Sequence, residues 1–258
     1  MRSIITITNQ KGGIGKSTTA HAIGAGYSSF TGSKTLLIDI DPQSNLTIAT
    51  GAKREPNKST YELLTGKATA KGIIQPVKEK LDIMPASNQL SRIPQELTET
   101  GKEYRLREKL EPILDSYDYI VIDTPPALSV LTINALTVAD RVIIPAQADL
   151  FSLEAIKELA DTIRVVKKYT NPALTVEGVL LTRYQPRSIL TQELTDLISE
   201  TAKTLQTKVF STRIREAVAI KEAQAMREDI FSYAPKSKVA SDYKAFFKEL
   251  TKEEELKA

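Results

Sequence analysis

The residues best suited to chemistry in this chain lie in one run, Asn9-Gln10-Lys11-Gly12-Gly13-Ile14-Gly15-Lys16-Ser17-Thr18-Thr19. It follows a short β-rich segment and leads into an Ala/Gly-rich helix at His21–Gly26. A strand, a glycine loop and a helix in that order aim backbone N–H groups and a helix N-terminus at one point, where phosphates fit. Gly12, Gly13 and Gly15 lack Cβ atoms and let the backbone wrap closely. In such a loop Lys16 reaches the β- and γ-phosphates and the Ser17 hydroxyl ligates Mg²⁺. The nucleotide-binding candidates in the loop are Gly12, Gly13, Ile14, Gly15, Lys16, Ser17 and Thr18, and the resemblance described below adds Lys11.

Two aspartate-bearing strand ends accompany the loop. In Leu37-Ile38-Asp39-Ile40-Asp41-Pro42 the carboxylates lie two residues apart, so they share a side unless the strand ends between them. Pro42 stops the ladder and leaves Asp41 at the loop mouth, near a γ-phosphate. Asp39 supports either the magnesium shell or the loop. Further on, Asp123 closes the apolar strand Tyr119–Ile122, where its carboxylate can hold a magnesium-bound water.

The glycine loop departs from G-x-x-x-x-G-K-[ST], because Gln10 stands where the first glycine belongs. What remains is K-G-G-x-G-K-S with an additional lysine, Lys11. In this form it resembles the deviant Walker A loop of the ParA/MinD superfamily of ATPases. The resemblance runs from about Ile4 to Leu250. It includes Asp41-Pro42-Gln43, Asp123-Thr124-Pro125-Pro126, Ile144-Pro145-Ala146-Gln147, Phe151-Ser152-Leu153-Glu154 and Gly178–Thr182.

It implies ATP and Mg²⁺ as cofactors and an ATP-dependent sandwich homodimer in which Lys11 reaches the partner's phosphates. It also implies that Asp41, in switch I, positions or activates the attacking water. The implied catalytic set is Lys11, Lys16 and Asp41. Ser17, Asp123 through water, and as a candidate Asp39, are set around the metal. Adenine is read in this family near Leu181–Tyr184 and Phe210–Thr212, with no single residue assigned. The loop starts so near the N-terminus that a preceding helix-turn-helix domain is not expected. The similarity is to short, Soj-like partition ATPases.

Such relatives bind duplex DNA without sequence preference, and a ParB-like centromere-binding partner stimulates their hydrolysis. The matching segment here is Thr212–Ala217, followed by Lys221. From Lys203 to Lys221 there are five basic residues and one acid, Glu216. That excess suits phosphate contacts that are salt-dependent and blind to sequence. Composition alone fits a solvated helix edge equally well. Arg213, Arg215 and Lys221 are the DNA-binding candidates, with Arg183 and Arg187 secondary. Cytoplasmic location with nucleoid association in the ATP-bound form is the matching expectation.

The alternatives are a MinD-like membrane-associated or protein-cargo positioning ATPase, and a small-molecule P-loop enzyme. MinD-like chains end in a basic amphipathic helix that lies on anionic lipid. Here Ala240, Tyr243, Phe246, Phe247 and Leu250 form an apolar stripe, but Glu249 and Glu253-Glu254-Glu255 share the segment. Carboxylates beside an anionic surface are unfavourable, so a last helix docked on the core is expected.

Composition narrows the field further. The 258 residues suit one large P-loop domain, 1–258. The absence of cysteine excludes disulfides, thiolate zinc, cysteine nucleophiles and protein-ligated iron–sulfur clusters. His21 is the only histidine, which leaves no multi-histidine metal site. A net charge of +3 is too mild to indicate nucleic acid by itself. No signal peptide or membrane span is expected.

The elements that must position these residues follow from patterning. Strands are expected at Ser3–Thr8, Thr35–Ile40, Leu81–Met84, Tyr119–Asp123, Arg141–Pro145, Val176–Leu181 and Lys208–Phe210. Several are apolar at nearly every position, as in parallel sheets buried on both faces. Helical stretches intervene, with apolar faces at Leu153–Val166 and Leu190–Leu205. The expected fold is α/β, an open, doubly wound, mostly parallel sheet with helices on both faces. Ala52–Lys80 is expected to be a surface excursion.

Overall fold

Continuous aliphatic runs, covered on both faces, set the sheet. The computed structural model describes residues 3–185 and 189–257. The strands are β1 (Ser3–Ile7), β2 (Thr35–Asp39), β3 (Gln75–Lys78), β4 (Leu81–Met84), β5 (Tyr119–Asp123), β6 (Arg141–Ala146) and β7 (Thr175–Leu181). They form one sheet in the order β3-β4-β2-β5-β1-β6-β7, parallel except for β3. The chain winds outward from β1 in both directions, so a crevice opens beyond the carboxyl ends of the central strands.

Side chains alternate between faces along each strand. Val121 of β5 joins the core beneath the helix Lys16–Gly26, whereas Ile120 and Ile122 join the core on the opposite face. A third cluster joins β6 and β7 to the helices Leu150–Tyr169 and Ile189–Thr204 through Ile156, Leu159, Val179 and Ile198.

The last helix, Lys238–Lys257, docks as its apolar stripe suggests: Ala240, Tyr243, Phe246, Phe247 and Leu250 are all buried. Phe247 lies against Gly26 and packs edge-on against Tyr27 at 5.0 Å. The side chains of Glu253–Glu255, and Arg187, lie outside the described residues. His21 is buried in the phosphate-loop helix, and burial lowers its pKa to about 4, which keeps it neutral. No helix among the described residues is long and apolar enough to cross a membrane.

Two expectations need correction. The stretch 52–80 is not a surface excursion, because its helix Thr60–Leu64 buries Tyr61, Leu63 and Leu64. Ser59 and Glu62 form a capping box that starts this helix. The Thr60 hydroxyl donates to the Asp39 carbonyl at 2.8 Å and ties the helix to the end of β2. The same stretch supplies β3, a short edge strand that tolerates Pro76 because it pairs on one side only. Lys208–Phe210 is not a full strand; it makes an isolated bridge, Val179 to Val209. Phe210 is there for packing. Its ring covers Gly178 of β7 and meets Phe246 edge-on at 4.9 Å.

A Cβ at residue 178 would sit 2.5 Å from Phe210 Cε2. Gly178→Ala should therefore destabilise by about 1–3 kcal/mol through overpacking. Urea unfolding with an unchanged slope would show this, and an unaltered midpoint would contradict the packing described.

Candidate active site

The register of three parallel strands builds the floor of the crevice. Ile7 pairs with Asp123, and Asp123 pairs with Asp39, so β1, β5 and β2 end level with one another. The phosphate loop leaves β1 at that level. Gly13 and Gly15 adopt positive φ of 75° and 85°, and a Cβ added at Gly12, Gly13 or Gly15 would meet nothing within 4 Å. The glycines therefore serve backbone conformation and open space for a ligand rather than close packing. Asn9 braces the loop by donating to the Pro145 carbonyl at 2.8 Å and accepting from Lys11 N–H at 3.1 Å. Thr182, at the end of β7, donates to the Ile14 carbonyl at 2.7 Å.

A cavity of ≈ 620 Å³ opens over this floor. Gly12, Gly13, Gly15, Lys16, Ser17, Thr18 and Asp41 line it; Ile14 is buried behind the loop. Lys16 is nearly covered, and its ammonium donates to the Lys11 carbonyl at 2.9 Å. Burial lowers its pKa, and Asp123 and Asp41 partly restore it. Beneath it Asp123 is fully buried, and neither carboxylate oxygen has a hydrogen-bond partner of normal geometry. Burial, then the charge of Asp39, raises its pKa well above the carboxylate range, against the Ser17 hydroxyl and Lys16. Buried polar atoms are nearly always satisfied, so two orphaned oxygens point to a missing partner.

Asp39 and Asp41 part company. Asp39 accepts from Asp41 N–H at 3.0 Å, Thr47 N–H at 2.8 Å and the Thr47 hydroxyl at 2.7 Å. Of its two readings the geometry favours the loop: the carboxylate is committed to holding the turn after β2. Burial nevertheless raises its pKa to about 6. Asp41 sits past the strand end on the cavity wall. One oxygen accepts from Gln43 N–H at 2.9 Å, and burial raises its pKa against that bond and Lys16.

No group of three or more metal-ligating side chains occurs among the described residues. Mg²⁺ needs no such group, because it keeps several waters and takes one or two protein oxygens plus phosphates. The glycine cradle, the Lys16 ammonium, the Ser17 hydroxyl and the orphaned Asp123 together fit a phosphate chain with a divalent cation. When bound, that cation would neutralise phosphate charge.

Lys11 points elsewhere. Its ammonium hydrogen-bonds Gln147 Oε1 at 3.0 Å, pairs with Asp149 and lies 5.9 Å from the exposed ring of Phe151. Asp149 also caps the helix Leu150–Tyr169, accepting from Ser152 N–H at 2.8 Å. Burial pulls the Asp149 pKa up, but Lys11 and Ser152 hold it below the usual carboxylate range. Sequence reasoning missed Gln147 and Asp149 as contacts of Lys11. The strand ending at Ala146, with an aspartate just before a helix, was the available signal.

Two of the three DNA candidates lie on the nucleotide cavity, and Arg213 lies outside its lining. Arg215 and Lys221 line the same cavity as the phosphate loop, together with Arg183, Glu216 and Gln224. Gln224 donates to the Thr18 hydroxyl at 3.0 Å, another contact that sequence alone did not show. Arg213 stacks 4.5 Å from the centroid of the Tyr184 ring and donates to its hydroxyl. Arg183 pairs with Glu216, and its Nη1 donates to the Gly13 carbonyl at 3.3 Å.

The pH dependence of Asp39 follows from its shift. Unfolded, it ionises near 3.8, and folded, near 6. Its contribution to stability is full below about pH 3.8 and is lost as pH rises through 6, a change of about 3 kcal/mol. Asp39→Asn lacks that slope. The difference in unfolding free energy between wild type and Asp39→Asn should fall from pH 4 to pH 7, and urea titrations across that range read it. A flat difference would mean that burial does not penalise the charged form.

Comparison with known proteins fits this geometry. A family model described as an AAA domain matches residues 2–176. The sporulation initiation inhibitor protein Soj of Bacillus subtilis is 41% identical over 253 residues, 97% of this chain and 98% of Soj. The chromosome partitioning protein ParA of Myxococcus xanthus is 37% identical, with 96% and 88% of the two chains covered. Among solved structures, cobyrinic acid a,c-diamide synthase from Mycobacterium smegmatis with bound ADP and magnesium superimposes with a TM-score of 0.76. Its identity is 32%, over 88% of this chain and 91% of that one. With a deviant phosphate loop at the switch point of its sheet and relatives matched nearly end to end, the chain belongs to the ParA/MinD family of P-loop ATPases.

Proposed function

We propose that this chain is a DNA-partition ATPase whose nucleotide is ATP with Mg²⁺. The observation that carries the reading is the level ending of β1, β5 and β2, which gathers the open phosphate cradle, Lys16 and the unpaired Asp123 at one point. The chromosome-partitioning name of the Myxococcus xanthus relative supports the biological class.

In this reading the loop N–H groups and Lys16 hold the triphosphate, and Ser17 with Asp123, through water, hold the cation. Asp41, on the cavity wall, orients the attacking water toward the γ-phosphate. Lys11 leaves Asp149 and Gln147 and reaches across a sandwich dimer, where a cation supplied in trans stabilises the charge of the transition state. Arg213, Arg215 and Lys221 of two protomers then act together on duplex DNA, which places the ATP-bound form on the nucleoid. A ParB-like partner stimulates hydrolysis and ends that contact. The residues 1–258 act as one P-loop domain. Burial of Tyr243, Phe246 and Phe247 commits the apolar stripe of the last helix to the core, which argues against a membrane role.

Two measurements test the reading. Lys16→Ala should abolish ATP binding in calorimetry. Asp41→Ala should retain binding yet lose turnover by about 10²-fold or more. Unchanged turnover in Asp41→Ala would remove the assignment.

Anisotropy with random-sequence duplex should show binding that requires ATP and weakens with salt. Arg213→Ala/Arg215→Ala should lower the salt slope by about 2. Absence of DNA binding with every nucleotide would leave a small-molecule or protein-cargo role in its place.

A further inference from the structure

The basic segment is not an open patch. Carboxylates of the last helix hold it at two points, and they do different things. Glu249 accepts from the backbone N–H groups of Ser211 and Thr212 at 2.7 and 2.9 Å, so it anchors the loop without touching a side-chain cation. Asp242, seven residues earlier and so on the same helix face, accepts from Arg215 three times. The donors are Nε at 2.6 Å, Nη2 at 2.8 Å and the backbone N–H at 3.1 Å. This is the side-on, two-bond geometry that makes Arg–carboxylate pairs the strong ones.

The two partners differ in freedom. The Asp242 side chain is 12% exposed and the Arg215 side chain 47%. The carboxylate rides on a helix fixed by Tyr243 and Phe246, whereas the guanidinium faces outward. Three of the five guanidinium N–H donors remain unused by Asp242, so the block is electrostatic rather than steric. A phosphate approaching this pair meets a neutral unit, with no counterion to release on its account.

We propose that Asp242 masks Arg215, so that the arginine adds charge to the DNA surface only when the pair opens. The inference rests on the proposed DNA-binding role of Arg215 and names the residue that regulates it. The helix carrying Asp242 also meets the phosphate-loop helix, through the Tyr243 and Thr19 hydroxyls at 3.4 Å and through Phe247 on Gly26. One element therefore touches both the arginine segment and the helix that follows the phosphate loop.

The test is anisotropy on random-sequence duplex with full-length protein, without nucleotide and with ATP. Without nucleotide, Asp242→Asn should bind about threefold to tenfold tighter than wild type, with a salt slope steeper by about 1. Adding Arg215→Ala should erase the gain. Glu249→Gln, which does not touch the guanidinium, should leave the slope unchanged.

Arg215→Ala alone leaves the last helix intact and supplies a test independent of the folding of Asp242→Asn. It should weaken ATP-state binding while changing nucleotide-free binding by less than about twofold. The masking is overturned if Arg215→Ala weakens both states equally. It is also overturned if Asp242→Asn binds no better than wild type while ATP-loaded wild type binds through Arg215. If neither ATP-loaded wild type nor Asp242→Asn binds DNA, the DNA-binding reading itself fails.

Discussion

Everything at this site depends on one pairing constraint: β1, β5 and β2 stop at the same level. Parallel register sets Ile7, Asp123 and Asp39 side by side, and the turns beyond them carry the phosphate loop and Asp41. The arrangement concentrates like charge in a dry place. Burial raises the pKa of both buried carboxylates, and the charge of Asp39 raises that of Asp123 further. Lys16 offsets part of this, but burial lowers its own pKa as well. The free protein therefore holds a strained electrostatic cluster that a phosphate chain with its cation would complete. Such preorganisation fits binding and charge stabilisation better than it fits stability of the unliganded fold.

The two cation systems at the rim share a design. Lys11 is held by Gln147 and Asp149, and Arg215 by Asp242, each by partners on or beside a helix that packs on the core. Partly exposed ion pairs of this sort contribute little to folding. The exposed ring of Phe151 lies 5.9 Å from the Lys11 ammonium, so apolar surface adjoins the first of these ion pairs.

Much of the fold was legible because parallel strands buried on both faces are written as uninterrupted aliphatic runs. Tyr119–Asp123 and Leu81–Met84 have the same limits in sequence and structure. β3 was illegible for the opposite reason: an edge strand of Gln75-Pro76-Val77-Lys78 has one pairing side and little burial, so it carries no run. Lys208–Phe210 looked like a strand because β-branched and aromatic residues also serve packing, and Phe210 serves as the lid on Gly178. The buried helix after Ser59 was hidden by the polar residues around it.

The sequence by itself determined the phosphate loop, its glycines and Lys16, and the aspartates that close β2 and β5. These depend on local order: strand, loop, helix, and a carboxylate at a strand end. Only the tertiary structure decided which carboxylate is left unpaired, because Asp39 is satisfied by Thr47 eight residues on, whereas Asp123 is fully buried beside Lys16 with neither oxygen hydrogen-bonded in normal geometry. It also decided that Arg215 meets Asp242, 27 residues away, and that Arg215 and Lys221 line the same cavity as the phosphate loop. Contacts of that kind arise from helices crossing a common sheet, and no local spacing encodes them.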